Sequence, residues 1–300
     1  MNRIVSLIVL LLVMTAGLTG CHHSSQVEQL PQGIPHHIVS LGVSNDEMLL
    51  ELVSSDRIAA ISDMPSNLPE KAAKVSARAN SSLESVLANH PDLFIGSEWM
   101  SPDFIEQIRA SGISVHVVKT PRSIEDIKTE ITRLGQVLCA EAKAEEMNRA
   151  IEDSRRRIHA LADEGRNQGK LVPRIAYYSN NGITGGAGSL FDELCHDMQM
   201  LNVAAEAGLQ DGQTLSKEQL VALAPDMIVI TGSEYDKDTY HSVRVDELLT
   251  DPSLQTVPAI TQKRICVVDA RHLLSLNRFI LNAGETIAAY WYTNRRNQNG

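Results

Sequence analysis

The sequence predicts an α/β protein: two similar lobes with parallel-type central sheets flanked by helices, joined by one long α-helix. Three observations carry this expectation. Short apolar runs alternate with helical patterns in both halves, a rhythm that implies parallel sheets covered on both faces. A stretch poor in glycine and proline separates the halves. One helix–turn–strand element of the first half recurs in the second. At 300 residues the chain exceeds the usual single-domain range, which also favours two units.

In the first half, strands are expected at Ile38–Leu41, Arg57–Ile61, Asp92–Ile95 and Ser114–Val118. Ser44-Asn45-Asp46-Glu47 and Ser81-Ser82-Leu83-Glu84 have the spacing of a capping box, so helices are expected to start at Ser44 and Ser81. Ser101-Pro102 puts a cap before a first-turn proline, and Gly112 closes that helix. From 123 to 168 there is no proline, and no glycine lies between Gly135 and Gly165. Met147, Ile151, Ile158, Leu161 and Ala162 recur there at helical spacing. A helix from about Glu141 to Glu164 would run roughly 36 Å, enough to bridge two lobes. Its face with Glu152, Arg155, Arg156 and Arg157 reads as a solvated surface. In the second half, strands are expected at Arg174–Tyr178, Met227–Thr231 and Ile265–Val268, and helices at Leu190–Leu201, Lys217–Leu223 and Asn277–Tyr292. The domain boundaries expected are 34–120 for the first lobe, 121–169 for the helical connection and 170–300 for the second lobe.

The internal echo is specific. Ser82-Leu83-Glu84 opens a segment that ends in Pro91-Asp92-Leu93-Phe94-Ile95, and Ser216-Lys217-Glu218 opens one that ends in Pro225-Asp226-Met227-Ile228-Val229. Each glutamate precedes its Pro-Asp by seven residues, and an apolar strand follows at once.

The N-terminus resembles that of bacterial lipoproteins. Arg3, an apolar run from Ile4 to Val13 and Leu18-Thr19-Gly20-Cys21 match a signal peptide ending in a lipobox. Ile4 to Thr19 holds 16 residues, short of the roughly 20 of a spanning helix. The resemblance implies a signal peptide at 1–20, lipidation of Cys21 and a flexible tether at 21–33, the mature protein being extracytoplasmic and anchored to a bacterial membrane, at a cell surface or in a periplasm.

The echo and its surroundings resemble solute-binding proteins of ABC importers, in the class that carries iron complexes and cobalamin. Val39 to Leu49 and Asp56 to Ser62 look like the family's opening strand–helix–strand unit, and the segment from Ser216 to Gly232 looks closest to cobalamin-binding members. The resemblance covers roughly residues 34–295. It implies two lobes clamping a metal chelate (ferric siderophore, haem or cobalamin) as cargo, with no resident cofactor, and delivery to a permease with its ATPase. Glu84 and Glu218 match the family's docking glutamates by position. Their place in a helix's first turn, where the dipole favours carboxylates, agrees.

Ligands of open α/β sheets lie beyond the carboxyl ends of the strands. That points to Ser44, Asn45, Met64 and Trp99 in the first lobe, and to Tyr178, Asn181, Tyr235, Arg271 and His272 in the second. Aromatic residues make up only 4% of the chain, so Trp99, Tyr178 and Tyr235 stand out at those ends. Arg271 and His272 could face an anionic ligand or donate to a metal centre. Asn181 to Gly188 is glycine-rich but fits no phosphate-loop pattern and reads as a flexible ligand-facing loop.

The net charge of −10 argues against nucleic acid or an anionic membrane face as partner and suits a partner with basic residues. A monomer is expected. No nucleophile elbow or H-E-x-x-H motif is present, so an extracytoplasmic enzyme is a remote alternative. A free Zn/Mn carrier would need several imidazoles and carboxylates converging on the cleft. Cys139 falls in a helical pattern and Cys266 in a strand. The simplest reading of these and Cys195 is buried small hydrophobes, although an exported location leaves disulfides open.

Overall fold

A computed structural model describes residues 33–64, 66–232 and 245–293. Cys21, the signal peptide and tether, and Tyr235 lie outside the described residues. The first lobe runs β1 (Ile38–Ser40), α1 (Val43–Leu52), β2 (Ile58–Ser62), α2 (Pro69–Ala72), β3 (Arg78–Ala79), α3 (Leu83–Leu87), β4 (Leu93–Ser97), α4 (Pro102–Ala110) and β5 (Ser114–Val118). Its sheet has the order β3-β2-β1-β4-β5 and is parallel throughout, with Ile38 beside both Ile58 and Leu93. Helices α5 (Ile124–Val137) and α6 (Glu141–Asn167) connect the lobes.

The second lobe begins with β6 (Arg174–Ser179) and β7 (Gly182–Thr184), then α7 (Leu190–Asp197), β8 (Leu201–Asn202) and α8 (Val203–Glu206). It continues through α9 (Lys217–Leu223), β9 (Met227–Thr231), α10 (Val245–Thr250), α11 (Pro258–Thr261), β10 (Ile265–Val268), α12 (Ala270–Leu273) and α13 (Ile280–Tyr292). The sheet order is β10-β9-β6-β7, with β8 also on β6. One edge of β6 is therefore shared. Its last residues pair antiparallel with β7 and its first pair parallel with β8.

Strand alternation divides the core. Ile38, Leu93 and Ile95 of the first sheet, and Ile175, Met227 and Val229 of the second, belong to one continuous apolar cluster with α5, α6, α7 and α13. Their neighbours point the other way, Val39 and Phe94 into a separate outer cluster, Ala176, Ile228 and Ile230 into another. The period of two along each strand thus places the helical layer in a core common to both lobes. Two glycines let α6 approach its partners. A Cβ on Gly165 would lie 2.3 Å from the Tyr292 ring of α13, and one on Gly135 of α5 would lie 2.6 Å from the Ala144 Cβ of α6.

The echo has a structural reason. Ser82 and Ser216 are the N-caps of α3 and α9, accepting from Ser85 N (3.2 Å) and Gln219 N (3.4 Å). Both helices are followed by a left-handed residue, His90 (φ 46) and Ala224 (φ 45). The Asp92 carboxylate then accepts from His36 N (2.7 Å) and His37 N (3.0 Å), while Asp226 accepts from Arg174 N (2.9 Å). In return Asp92 N donates to His37 O and Asp226 N to Arg174 O. Each Pro-Asp pair locks the entry of its lobe's first strand.

Several expectations are corrected. α1 starts at Val43, not after a Ser44 cap. Its N-cap is Gly42 at φ 110, with no side-chain cap. The Ser44 to Glu47 run therefore lies inside the helix, where Asn45, Asp46 and Glu47 are buried. α3 is capped by Ser82 rather than Ser81, so Glu84 is one place short of the capping-box position. α7 stops at Asp197, four residues early, because Gln199 turns left-handed (φ 51) and frees Leu201 and Asn202 to pair with β6. The helix expected from Asn277 starts at Ile280, since Asn277 forms a turn, its Oδ1 accepting from Phe279 N at 3.0 Å. Cys139 sits in the left-handed turn (φ 52) between α5 and α6 and is exposed. Cys195 and Cys266 are buried free thiols; burial pushes Cys266 up to about 12 and Cys195 in the same direction. Arg155 is no solvated residue. It makes a bidentate pair with Asp197 of α7 at 2.7 and 2.8 Å, and Arg157 reaches Glu285 of α13 at 3.0 Å.

Candidate functional site

The carboxyl ends of β1, β4 and β5 enclose a half-open hollow of about 140 Å³. Its floor holds Gly42, Ser44, Asn45 and Ser97, its rim Trp99, Lys119 and Thr120, and Leu274 and Leu276 arrive from the second lobe. The α1 helix brings Ser44 and Asn45 here because Gly42 tolerates φ 110, which turns the chain from β1 straight into the helix. Asn45 Nδ2 donates to Leu41 O (3.0 Å) and to Ser97 Oγ (2.9 Å), tying α1 to two strands. Trp99 is 63% exposed, Leu274 50% and Leu276 37%. An indole left that open beside two leucines is surface of the sort that contacts a ligand or partner.

Behind this hollow the lobes are clasped. Ser44 Oγ accepts from Leu276 N (3.1 Å), and Asn277 Nδ2 donates to Ser44 O (3.1 Å) and Glu47 Oε2 (2.8 Å). The other Glu47 oxygen accepts from Asn67 N (2.5 Å), and Arg278 pairs with Glu51 at 2.5 and 2.7 Å. The buried Asp46 carboxylate accepts from Ser62 N at 3.1 Å and from its hydroxyl. Burial raises the Asp46 carboxyl to about 6 against those hydrogen bonds.

The second lobe disposes of its polar residues differently. Arg271 pairs with Asp269 at 2.6 and 3.1 Å, and the Asp269 carboxylate is held low chiefly by that guanidinium. His272 Nε2 lies 3.3 Å from Asn282 Nδ2, and burial lowers the imidazole's pKa, favouring the neutral ring. Tyr178 is half-buried on β6, packed against the outer core, and desolvation raises its phenol. Asn181 is the exposed tip of a β6–β7 hairpin. The glycine-rich stretch is thus ordered structure rather than a loose loop. Ile183 is buried and exchanges two hydrogen bonds with Leu215 at 2.9 Å, and a Cβ on Gly186 would strike Leu209 O at 2.4 Å.

Of the residues singled out from sequence, Ser44, Asn45 and Trp99 come together in one hollow. Met64 is exposed at the end of β2 but does not line it. Lys119 and Leu276, which also line it, were not singled out. Lys119 had a signal, since it follows β5 and the rule about carboxyl ends applies there too. Glu84 and Glu218 are exposed at the second position of their helices, and the Ser216 hydroxyl holds the Glu218 carboxylate low. Each helix runs back along the following parallel strand, so both glutamates lie at the carboxyl edge of a sheet. His116 is buried on β5, its Nε2 2.6 Å from Glu130 Oε1 of α5. Among the described residues no three His, Cys, Asp or Glu side chains gather as a metal site would need, and no described helix is long and apolar enough to cross a membrane.

Two α/β lobes, a long connecting helix and a hollow where the first lobe's strand ends meet the segment after α12 define a bilobal ligand-binding protein. Residues 38–272 match the periplasmic binding protein family, and the chain belongs to that family. It is 24% identical over 210 residues to a cobalamin-binding protein of Halobacterium salinarum, a match covering 68% of this chain and 55% of that one. It is 27% identical over 204 residues to the ABC transporter substrate-binding lipoprotein YvrC of Bacillus subtilis, uncharacterized, covering 66% and 64%. The chain thus spans a little over half the length of these curated relatives. The periplasmic heme-binding protein RhuT of Roseiflexus sp. RS-1, in apo form, has the same fold, with a TM-score of 0.72 and 24% identity over 89% of this chain and 100% of that one.

Proposed function

We propose that this chain is the substrate-binding component of an ABC importer, tethered outside the cytoplasm through Cys21 and capturing a metal chelate between its lobes. Cobalamin and haem are the favoured cargoes, and a ferric siderophore is the third candidate. The carrying observation is the open apolar wall of Trp99, Leu274 and Leu276, drawn from both lobes. A broad flat macrocycle gains by covering such a surface, whereas a bare ion has no use for it. The relatives named for cobalamin and for ABC transport support the reading.

Glu84 and Glu218 serve in this reading as docking points for arginines of a permease. Neither carboxylate is used up in a capping box, and both stand exposed at a sheet's carboxyl edge. The test is the double variant Glu84→Arg, Glu218→Arg. Chelate affinity of the purified protein should stay within about twofold, while uptake in cells should be lost, because rim charges govern association with a partner. Loss of chelate binding in the double variant would move these residues into the cleft and defeat the docking role.

A further inference from the structure

The internal echo sets Ser216-Lys217-Glu218 against Ser82-Leu83-Glu84, so the two exposed glutamates have different residues just before them. Leu83 packs against the outer core of the first lobe and brings no charge to Glu84. Lys217 brings an ammonium to the neighbourhood of Glu218, the wrong sign for a place that awaits an arginine. Adjacent residues of a helix do not face each other, so Glu218 is badly placed to neutralise it. A free ammonium there would repel a guanidinium arriving at Glu218, because screening sets in only beyond about 8 Å in physiological salt.

The fold gives that ammonium a partner on another element. Lys217 Nζ donates to Asp251 Oδ2 at 2.7 Å. The other carboxylate oxygen is occupied, since Asp251 Oδ1 accepts from Ser253 N at 2.8 Å and from Ser253 Oγ at 2.6 Å as the cap of the short turn Pro252–Leu254. Asp251 is thus fixed by its own turn, with one oxygen presented to α9. The hydrogen bond from Lys217 holds the Asp251 carboxyl down at about 2, and Asp251 raises the Lys217 ammonium more than Glu218 does. Glu218, held low first by the Ser216 hydroxyl, is affected by Lys217 least of the groups that shift it. It stays exposed and ionised.

We propose that Asp251 is a positioning residue for permease docking: it draws the Lys217 ammonium away from Glu218 and leaves an uncompensated carboxylate for an arginine of the partner. The inference rests on the docking role of Glu218. It adds that the second lobe needs a further acid to present the single negative charge that the first lobe, with Leu83, presents through Glu84 alone.

The full chain and its permease–ATPase complex, both in detergent, are mixed and their association rate is followed by interferometry at several salt concentrations. Asp251→Asn keeps a good cap for the turn, since asparagine caps as well as aspartate, and gives up only the charge. It should slow association roughly threefold at low salt, the worth of one exposed charge pair, and the deficit should shrink as salt is raised. Adding Lys217→Gln to that variant should restore the wild-type rate. An unchanged rate in Asp251→Asn, or a deficit that persists at high salt or with Lys217→Gln, overturns the proposal. Glu218→Gln separates that failure from failure of the docking role. If Glu218→Gln associates slowly while Asp251→Asn matches wild type, docking stands and the role of Asp251 alone falls. If wild type does not associate, or Glu218→Gln associates as fast as wild type, the docking role falls and takes the proposal with it.

Discussion

The two lobes share one plan and use it differently at the edge that meets the cleft. In both, a serine-capped helix ends in a left-handed residue and a Pro-Asp pair locks the entry of the lobe's first strand. An acid in the helix after that strand holds the end of the next: Asp46 reaches Ser62, and Asp192 accepts from Asn202 Nδ2 at 2.9 Å. Beyond this scaffold the lobes part. The first leaves Trp99, Ser97 and Lys119 facing the hollow, while the second commits Arg271 to Asp269 and His272 to Asn282. Features that fold each lobe recur at equivalent places; features at the edge of the hollow do not. A duplicated frame tolerates divergence at its loop-bearing edge because those residues carry little of the packing.

The sharpest test compares the seats of the long helix. Gly165→Ala should destabilise the protein by about 3 kcal/mol in chemical denaturation, since the new methyl meets a ring whose hydroxyl is itself tied to Met198 O. Gly135→Ala should cost about 2 kcal/mol, because the Ala144 Cβ it meets is fixed to the α6 backbone, while the gain in helix propensity returns part of the cost. Equal losses would mean that the helix is not held more firmly by the second lobe. A second test uses pH. The Asp46 carboxyl is raised to about 6 from 3.8 by burial, so the folded state holds its proton more tightly than the unfolded chain. Its contribution therefore falls as pH rises from about 4 to above 6, by about 2 kcal/mol in all. Asp46→Asn should remove that fall, its stability advantage over wild type growing by this amount between pH 4 and pH 8; a flat difference would mean that Asp46 is ionised in both states. The smallest effects concern the two locks. His90→Gly and Ala224→Gly should each stabilise by about 0.5 kcal/mol, relief of a left-handed backbone outweighing the entropy of the unfolded glycine. Gains of similar size would support one device used twice, and a gain in one lobe only would break the equivalence.

Most of the frame was legible in the sequence because it rests on periodicity and on turn chemistry. The strands at 93–97, 174–179 and 227–231 and the long helix declare themselves in apolar spacing alone. α1 was misplaced because Ser44-Asn45-Asp46-Glu47 copies a capping box, and the true start depends on a left-handed glycine two residues earlier. β7 was missed because a strand of three residues that itself opens on Gly182 carries no period. At the site, Trp99 and Asn45 follow from the rule about strand ends, but Lys119 required applying it to β5 as well. Leu276 required tertiary knowledge, since its place opposite Ser44 is set by a clasp spanning more than 230 residues of sequence.

The apolar cluster that runs unbroken from Ile38 through the helical layer to Met227 has a consequence for how the molecule comes apart. Neither sheet can lose its inner cover without stripping the other, because α6 belongs to both. The lobes are therefore one cooperative unit in the sense of unfolding, although they look like two in outline. A chain cut between them would leave each half with a bare greasy face, so the long helix acts less as a hinge than as a keel.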